Sequence, residues 1–218
     1  LELKVVSIPA AKADWAFLDI AFVSPATYSA IGGDNASGKD VYISIQNDVY
    51  LLGHSDACVD GEMCFSSVQR MNSKLQMQTY SVDVFNPERA PSINTVTIGI
   101  DFLKKGASEQ RCEIEGNDFS ESLKQILKGH ILKVGQNIPV KYRGKRLQIT
   151  IQSISLANSG DGILSSNGLL DPNMSQIELT LCSGAGASGL ILKDGKTKRL
   201  EFKSDFNFED MGIGGLDE

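Results

Sequence analysis

This chain is poor in the residues that most often announce a chemistry. Its 218 residues include two histidines, one tryptophan and four cysteines. Cys58, Cys64, Cys112 and Cys182 form no Cys-x-x-Cys pair, and two histidines are too few to complete a zinc site with them, so no metal site is expected. The reading that follows is free thiols in a reducing compartment. Neither His54 nor His130 lies in a Gly-x-Ser-x-Gly or His-Glu-x-x-His setting, and Cys58 lacks a local nucleophile signature. His54 follows Gly53 in a turn and is expected to be structural or solvated. His130 follows the helix-ending Gly129 and is expected as a surface imidazole. No catalytic residue is assigned.

Long apolar runs are also missing. No stretch of roughly 18 apolar residues exists, and Leu1-Glu-Leu-Lys-Val-Val lacks the basic and apolar regions of a signal peptide, so a soluble protein without membrane insertion is expected. Aromatics make up only 7% of the chain against 21 glycines, which favours many short strands and turns over long helices packed by large rings.

With 41% hydrophobic residues, the chain has material for a substantial core, divided between two units. Net charge is −6, unevenly spread: residues 1 to 85 carry 5 Lys/Arg against 10 Asp/Glu, residues 86 to 205 carry 16 against 13, and residues 206 to 218 carry 0 against 4. An acidic chain with a locally basic middle is a poor binder of nucleic acid, but it can attract an acidic protein over about a Debye length.

The first 85 residues read as short strands at Leu3 to Ile8, Ile20 to Val23, Val41 to Ile45, Val49 to Leu52, Met63 to Ser66 and Tyr80 to Phe85, a set whose edges a small barrel would close. A boundary is expected at 86 to 91, where Pro87 and Pro91 interrupt the β-rich run. Beyond it, Val96, Ile98, Ile100 and Phe102 form the apolar side of a strand that ends at Lys104-Lys105-Gly106. One helix is predicted over Phe119 to Lys128, with Phe119, Leu123, Ile126 and Leu127 on one face, Asp118 as N-cap, Glu121 bonding back, and Gly129 as the left-handed residue after the last turn. Strands follow at Gln148 to Ile154 and Ile177 to Leu181, then a hairpin over Leu190 to Leu200 turning at Asp194-Gly195. The Ser-, Asn- and Gly-rich stretch from Leu156 to Asp171 reads as a mobile loop. The fold class is mainly β with an α+β second unit.

Gly33-Asp-Asn-Ala-Ser-Gly38-Lys39 has the spacing of a phosphate loop up to the lysine. Asp40 stands where a hydroxyl should meet Mg²⁺, however, and a strand-like run follows where a helix should begin, so the motif is rejected. Gly189 to Lys196 is a second near miss, better explained by the hairpin.

Two segments carry a family resemblance. Phe206-Asn-Phe-Glu-Asp-Met-Gly-Ile-Gly-Gly-Leu-Asp-Glu218 resembles the lead-in to the nucleotide site of N-ethylmaleimide-sensitive factor and its AAA ATPase relatives, and Thr97 to Lys105 is similar to a strand and dibasic turn of that family's amino-terminal adaptor domain. Phe65-Ser-Ser-Val-Gln-Arg70 and Ile20 to Ser24 follow the same pattern more loosely. The absence of an initiator methionine fits a piece of a longer protein.

The resemblance implies a double-psi β-barrel (1 to 85), a linker (86 to 91), a small α/β roll packed against the barrel (92 to 205), and a link (206 to 218) into an ATPase domain. It implies docking on soluble attachment protein and, through it, SNARE complexes, in the cytoplasm and peripherally at membranes. The residues matching the family's contacts are Arg70, Lys104 and Lys105, with Lys12 or Lys4 as a further candidate. Gly212, Ile213 and Gly214 would adjoin an adenine pocket in the next domain, so ATP and Mg belong to the parent protein, no cofactor is held by this chain, and the chain itself binds without catalysing. The parent would be a homohexamer and this piece a monomer. The alternatives are the corresponding domain of a ubiquitin-directed AAA unfoldase and a free-standing β-barrel enzyme.

Overall fold

A computed structural model of the chain describes residues 1–33, 39–103, 112–157, 164–182 and 189–193, and every structural statement below concerns these residues. They are mostly strand, arranged as a curled sheet followed by a small α/β unit.

The first unit holds β1 (Glu2–Ser7), β2 (Ala21–Val23), β3 (Val41–Ile45), β4 (Asp48–His54), β5 (Glu62–Phe65), β6 (Thr79–Ser81) and β7 (Asp83–Phe85). They hydrogen-bond in the order β6-β1-β5-β2-β4-β3-β7, with parallel pairs β1/β5 and β2/β4 among antiparallel neighbours. The two end strands are halves of one chain segment separated only by Val82. That segment pairs with β1 in its first half and with β3 in its second, so a single piece of backbone ties the two edges together and the sheet curls into a barrel. Inside lie Leu3, Val5, Ile43, Ile45, Leu52, Met63 and Phe65, the alternate residues expected from a period of two.

Two helical turns in this unit are additions to the expected strands. α1 (Pro25–Ala30) starts with Ser24 as N-cap, its Oγ accepting from the Thr27 N–H at 3.1 Å, and Pro25 in the first turn. α2 (Ser67–Asn72) starts with a reciprocal capping box between Ser66 and Gln69. Both are six residues long, too short to show an apolar period, yet each carries its start signal in the sequence.

The second unit contains β8 (Ile93–Phe102), β9 (Cys112–Glu115), α3 (Gly116–Ile126), β10 (Ile131–Lys133), β11 (Asn137–Tyr142), β12 (Lys145–Leu156), β13 (Leu164–Ser165), β14 (Asn167–Leu169), β15 (Gln176–Leu181) and β16 (Leu190–Lys193). Its main sheet runs β11-β12-β8-β15, with β13 attached to β12. The core is aliphatic, built on Ile98, Ile100, Ile149, Ile151 and Leu147 under the Phe119, Leu123 and Leu127 face of α3.

Three local expectations are corrected here, and a fourth, the hairpin over Leu190 to Leu200, falls largely outside the described residues. α3 begins two residues before Asp118, with no side-chain cap at Glu115. The Asp118 carboxylate instead accepts from the Tyr142 hydroxyl at 2.5 Å and pairs with Arg143 at 3.0 Å, so a tertiary partner has claimed the group that would have capped the helix. Glu121 pairs forward with Lys124 at 2.9 Å rather than bonding back. The 156–171 stretch contains β13 and β14, and β14 pairs with β10. β16 pairs in parallel with β9; the expected turn at Asp194-Gly195 lies outside the described residues. Gly129, at φ 73°, does supply the left-handed residue after α3.

Candidate functional site

The basic residues singled out in the sequence are dispersed. Arg70 is in the last turn of α2, half-buried, its Nη2 donating to Ser7 Oγ at 3.3 Å. Its Nε is buried without a hydrogen-bond partner, and no carboxylate pairs with the guanidinium among the described residues. Lys12 is exposed at a kink in the 3-10 segment Ala10–Phe17, with Nζ 5.8 Å from the Trp15 ring centre. Lys4 is held by Glu62 at 3.5 Å. Lys104 and Lys105 lie outside the described residues, as do Gly212, Ile213 and Gly214.

Sequence reasoning missed Lys74. It shares an open groove with Ser67, Arg70, Met71, Leu75 and Gln76. Leu75 is buried, and Met71 is 70% exposed, the most exposed large apolar side chain among the described residues. The signal was available: from Met63 to Val82 the sequence has no Asp or Glu, so Arg70 and Lys74 are the only charges in that span.

A second feature lies where the two units meet. The seam is polar. Asn72 Nδ2 donates to the Asn137 carbonyl at 2.8 Å, while the Asn137 N–H donates to Asn72 Oδ1 at 3.1 Å. The Tyr42 hydroxyl donates to the Gly129 carbonyl at 2.7 Å, and Gln136 Nε2 donates to Asp19 Oδ2 at 2.8 Å. Lys133 pairs with Asp48 at 2.5 Å and Lys141 with Asp14 at 2.6 Å. Between these contacts lies a cavity of about 150 Å³ whose walls include Asp19, Tyr50, Gln69, Asn72, Lys133 and Gln136.

Burial dominates the electrostatics of the seam. It pushes the Asp19 carboxyl up to about 7; the Gln69 amide opposes this, although Gln69 Nε2 makes no hydrogen bond of good geometry. Asp19 also adopts a left-handed φ of 53°, which few residue types other than Gly, Asn and Asp tolerate well.

His130 corrects an expectation. It is 5% exposed rather than a surface imidazole, with Nε2 3.0 Å from the Leu18 carbonyl and Nδ1 3.2 Å from the Lys128 carbonyl. Burial pulls its pKa down. The sequence could not show this, because Leu18 lies 112 residues away.

The other candidates for chemistry are placed elsewhere. His54, at the end of β4, is exposed and its ring lies 4.6 Å from that of Tyr28. Cys58 and Cys64 are buried with their Sγ atoms 3.5 Å apart, and burial raises both thiols, Cys64 to about 12. None of the three lines the seam cavity. Among the described residues, no group of three or more His, Cys, Asp or Glu is placed to hold a metal ion. Nor is any helix among them long and apolar enough to cross a membrane.

No family model matches the chain. It is similar to the vesicular-fusion protein sec18 of Schizosaccharomyces pombe, 27% identical over 161 residues that cover 67% of this chain and 19% of that protein. It is also similar to the vesicular-fusion protein SEC18 of Saccharomyces cerevisiae, 22% identical over 231 residues covering 99% of this chain and 29% of that protein. The chain thus spans under a third of the length of these relatives. Across most of its own length, this chain resembles N-ethylmaleimide-sensitive factor through its yeast homologues.

Proposed function

We propose that this chain is the adaptor domain of a vesicle-fusion AAA ATPase, and that it docks soluble attachment protein on SNARE complexes for disassembly driven by ATP hydrolysis in another domain. The observation that supports the reading most is the similarity to two vesicular-fusion proteins over most of the chain. The environment of Arg70 agrees with it: a cation with no carboxylate partner among the described residues, at a position that resembles the family's contact arginine.

In this reading the division at 86 to 91 separates a double-psi barrel from an α/β roll, and residues 206 to 218 lead to the ATPase. The chain binds and does not catalyse, holds no cofactor, and is monomeric, while the hexamer and the ATP and Mg sites belong to the parent. It works in the cytoplasm, recruited to membranes through its partners.

Arg70, Lys104 and Lys105, with Lys12 at the margin, steer and orient an acidic partner surface. Each exposed contact of this kind is worth about 1 kcal/mol or less, so affinity comes from several copies acting together.

The test is binding of this chain, displayed in several copies, to attachment protein assembled on SNARE bundles at low and moderate salt. Salt-sensitive binding that Arg70→Glu or the double change Lys104→Glu/Lys105→Glu abolishes is expected. No binding by the wild-type multimer at either salt overturns the reading and directs the search to ubiquitin-type adaptors.

A further inference from the structure

The end of α2 brings two cations, Arg70 and Lys74, to one groove, and neither has a carboxylate partner among the described residues. Lys4, Lys124, Lys133, Lys141 and Arg143 each pair with an Asp or Glu in a chain whose net charge is −6. Arg70 and Lys74 do not pair with any carboxylate among the described residues, and they flank one groove. The groove is not purely polar. Leu75, which is buried, and Met71, which is 70% exposed, both line it.

The backbone makes Lys74 conspicuous in its own right. After α2 the Leu75 N–H returns to the Arg70 carbonyl at 2.8 Å, and Lys74 takes the left-handed position of this turn with φ 54°. Glycine is the low-cost residue there, because a side chain in that conformation crowds the following carbonyl.

We propose that the Arg70/Lys74 groove is a composite docking notch: Met71 and Leu75 receive an apolar side chain from the partner, while Lys74 and Arg70 hold carboxylates on either side of it. The occupant is an acidic partner segment with an apolar residue between its acidic ones. The sign follows from two cations without a carboxylate partner among the described residues, and the apolar residue from the exposed Met71 that lines the same groove. The inference rests on the docking role proposed above. It adds Lys74 and Met71 to that role, and gives the surface an apolar anchor that a cation-only site lacks. A packed central anchor inside a polar rim is also how interfaces concentrate their binding energy.

The experiment uses the multimerised full chain against attachment protein assembled on SNARE bundles, with three variants. Met71→Ala is expected to weaken binding at least about fivefold, by a factor that does not change with salt, because what is lost is apolar contact. Lys74→Glu is expected to weaken it about tenfold at low salt, with the factor shrinking as salt rises.

Lys74→Gly separates function from folding: relief of the left-handed strain raises the melting temperature by about 1–4 °C while binding still falls. If Met71→Ala and Lys74→Gly both bind as the wild type does while Arg70→Glu abolishes binding, the docking role stands and the notch is overturned. If the wild-type multimer does not bind, the docking role fails and the notch fails with it.

Discussion

The two units solve the same problem, burial of a sheet, in opposite ways. The barrel ties its edges together through the single segment Thr79–Phe85 and fills its interior with mixed side chains, Tyr28, Tyr50 and Tyr80 among them. The second unit leaves its main sheet open and lays α3 over an almost wholly aliphatic core. Each therefore completes its own apolar core. What joins them includes hydrogen bonds and ion pairs around a small cavity, and the Lys141 ammonium 4.7 Å from the Phe17 ring centre. A polar seam is specific in register but weak per contact, since each net hydrogen bond contributes only about 0.5–1.5 kcal/mol.

The largest effect that would sharpen this contrast comes from the second core. Phe119→Ala removes a fully buried ring and should cost about 3–5 kcal/mol. Trp15, the only tryptophan, belongs to the barrel side, stacked 4.0 Å from the Phe22 ring. If the polar seam couples the units loosely, far-ultraviolet circular dichroism will lose amplitude at a lower denaturant concentration than Trp15 fluorescence. Coincident transitions would mean that the seam makes one cooperative body.

Next in size is Asp19. Its pKa in the folded chain, about 7, lies above the ordinary 3.8. Its contribution to stability is therefore fully present below about pH 3.8 and is lost as pH rises through 7. Asp19→Asn keeps an acceptor for Gln136 and suits the left-handed φ, so at pH 8 it should stabilise the fold by about 2–4 kcal/mol and flatten this part of the pH profile. Denaturant titrations at pH 5 and pH 8 test this; an equal gain at both values would refute the buried-carboxylate account. His130 acts with the opposite sign. Its lowered pKa means that its stabilising contribution, present above the unfolded value of 6.5, is lost as pH falls through the folded value.

The smallest of the three concerns the seam itself. Asn72→Ala breaks the reciprocal pair with Asn137 and should cost about 1–2 kcal/mol. If the units are coupled only here and at a few similar contacts, hydrogen exchange should rise at Asn137 and Gln136 and remain unchanged in the core of β5. Faster exchange across both cores would show that the seam carries global stability.

Much of the fold was legible. Alternation along Val41 to Ile45 and Val96 to Phe102 marked strands because one buried face is enough to impose a period of two. The apolar stripe from Phe119 to Leu127 marked α3 for the corresponding reason. The misses share a different cause. α1 and α2 are shorter than two helical turns, so only their caps could speak. Asp118 carried a good cap signal that Tyr142 and Arg143 overrode from 24 and 25 positions along the chain. At the candidate site, Arg70 was found by resemblance, whereas Lys74 was missed although it is one of only two charges in a span free of acidic residues. Met71 could not be singled out, since nothing local says which methionine faces water.

By itself the sequence determined the class of the fold, most of its strands, its main helix and the family it resembles, because these depend on periodicity, caps and short local wording. Tertiary structure alone decided that His130 and Asp19 are buried at a seam, that Thr79–Phe85 joins both edges of one sheet, and that Lys74 and Met71 share a groove with Arg70. Each of those depends on which distant residues come to lie within a few ångströms, and a burial cost or an unpaired charge exists only once that neighbourhood has formed.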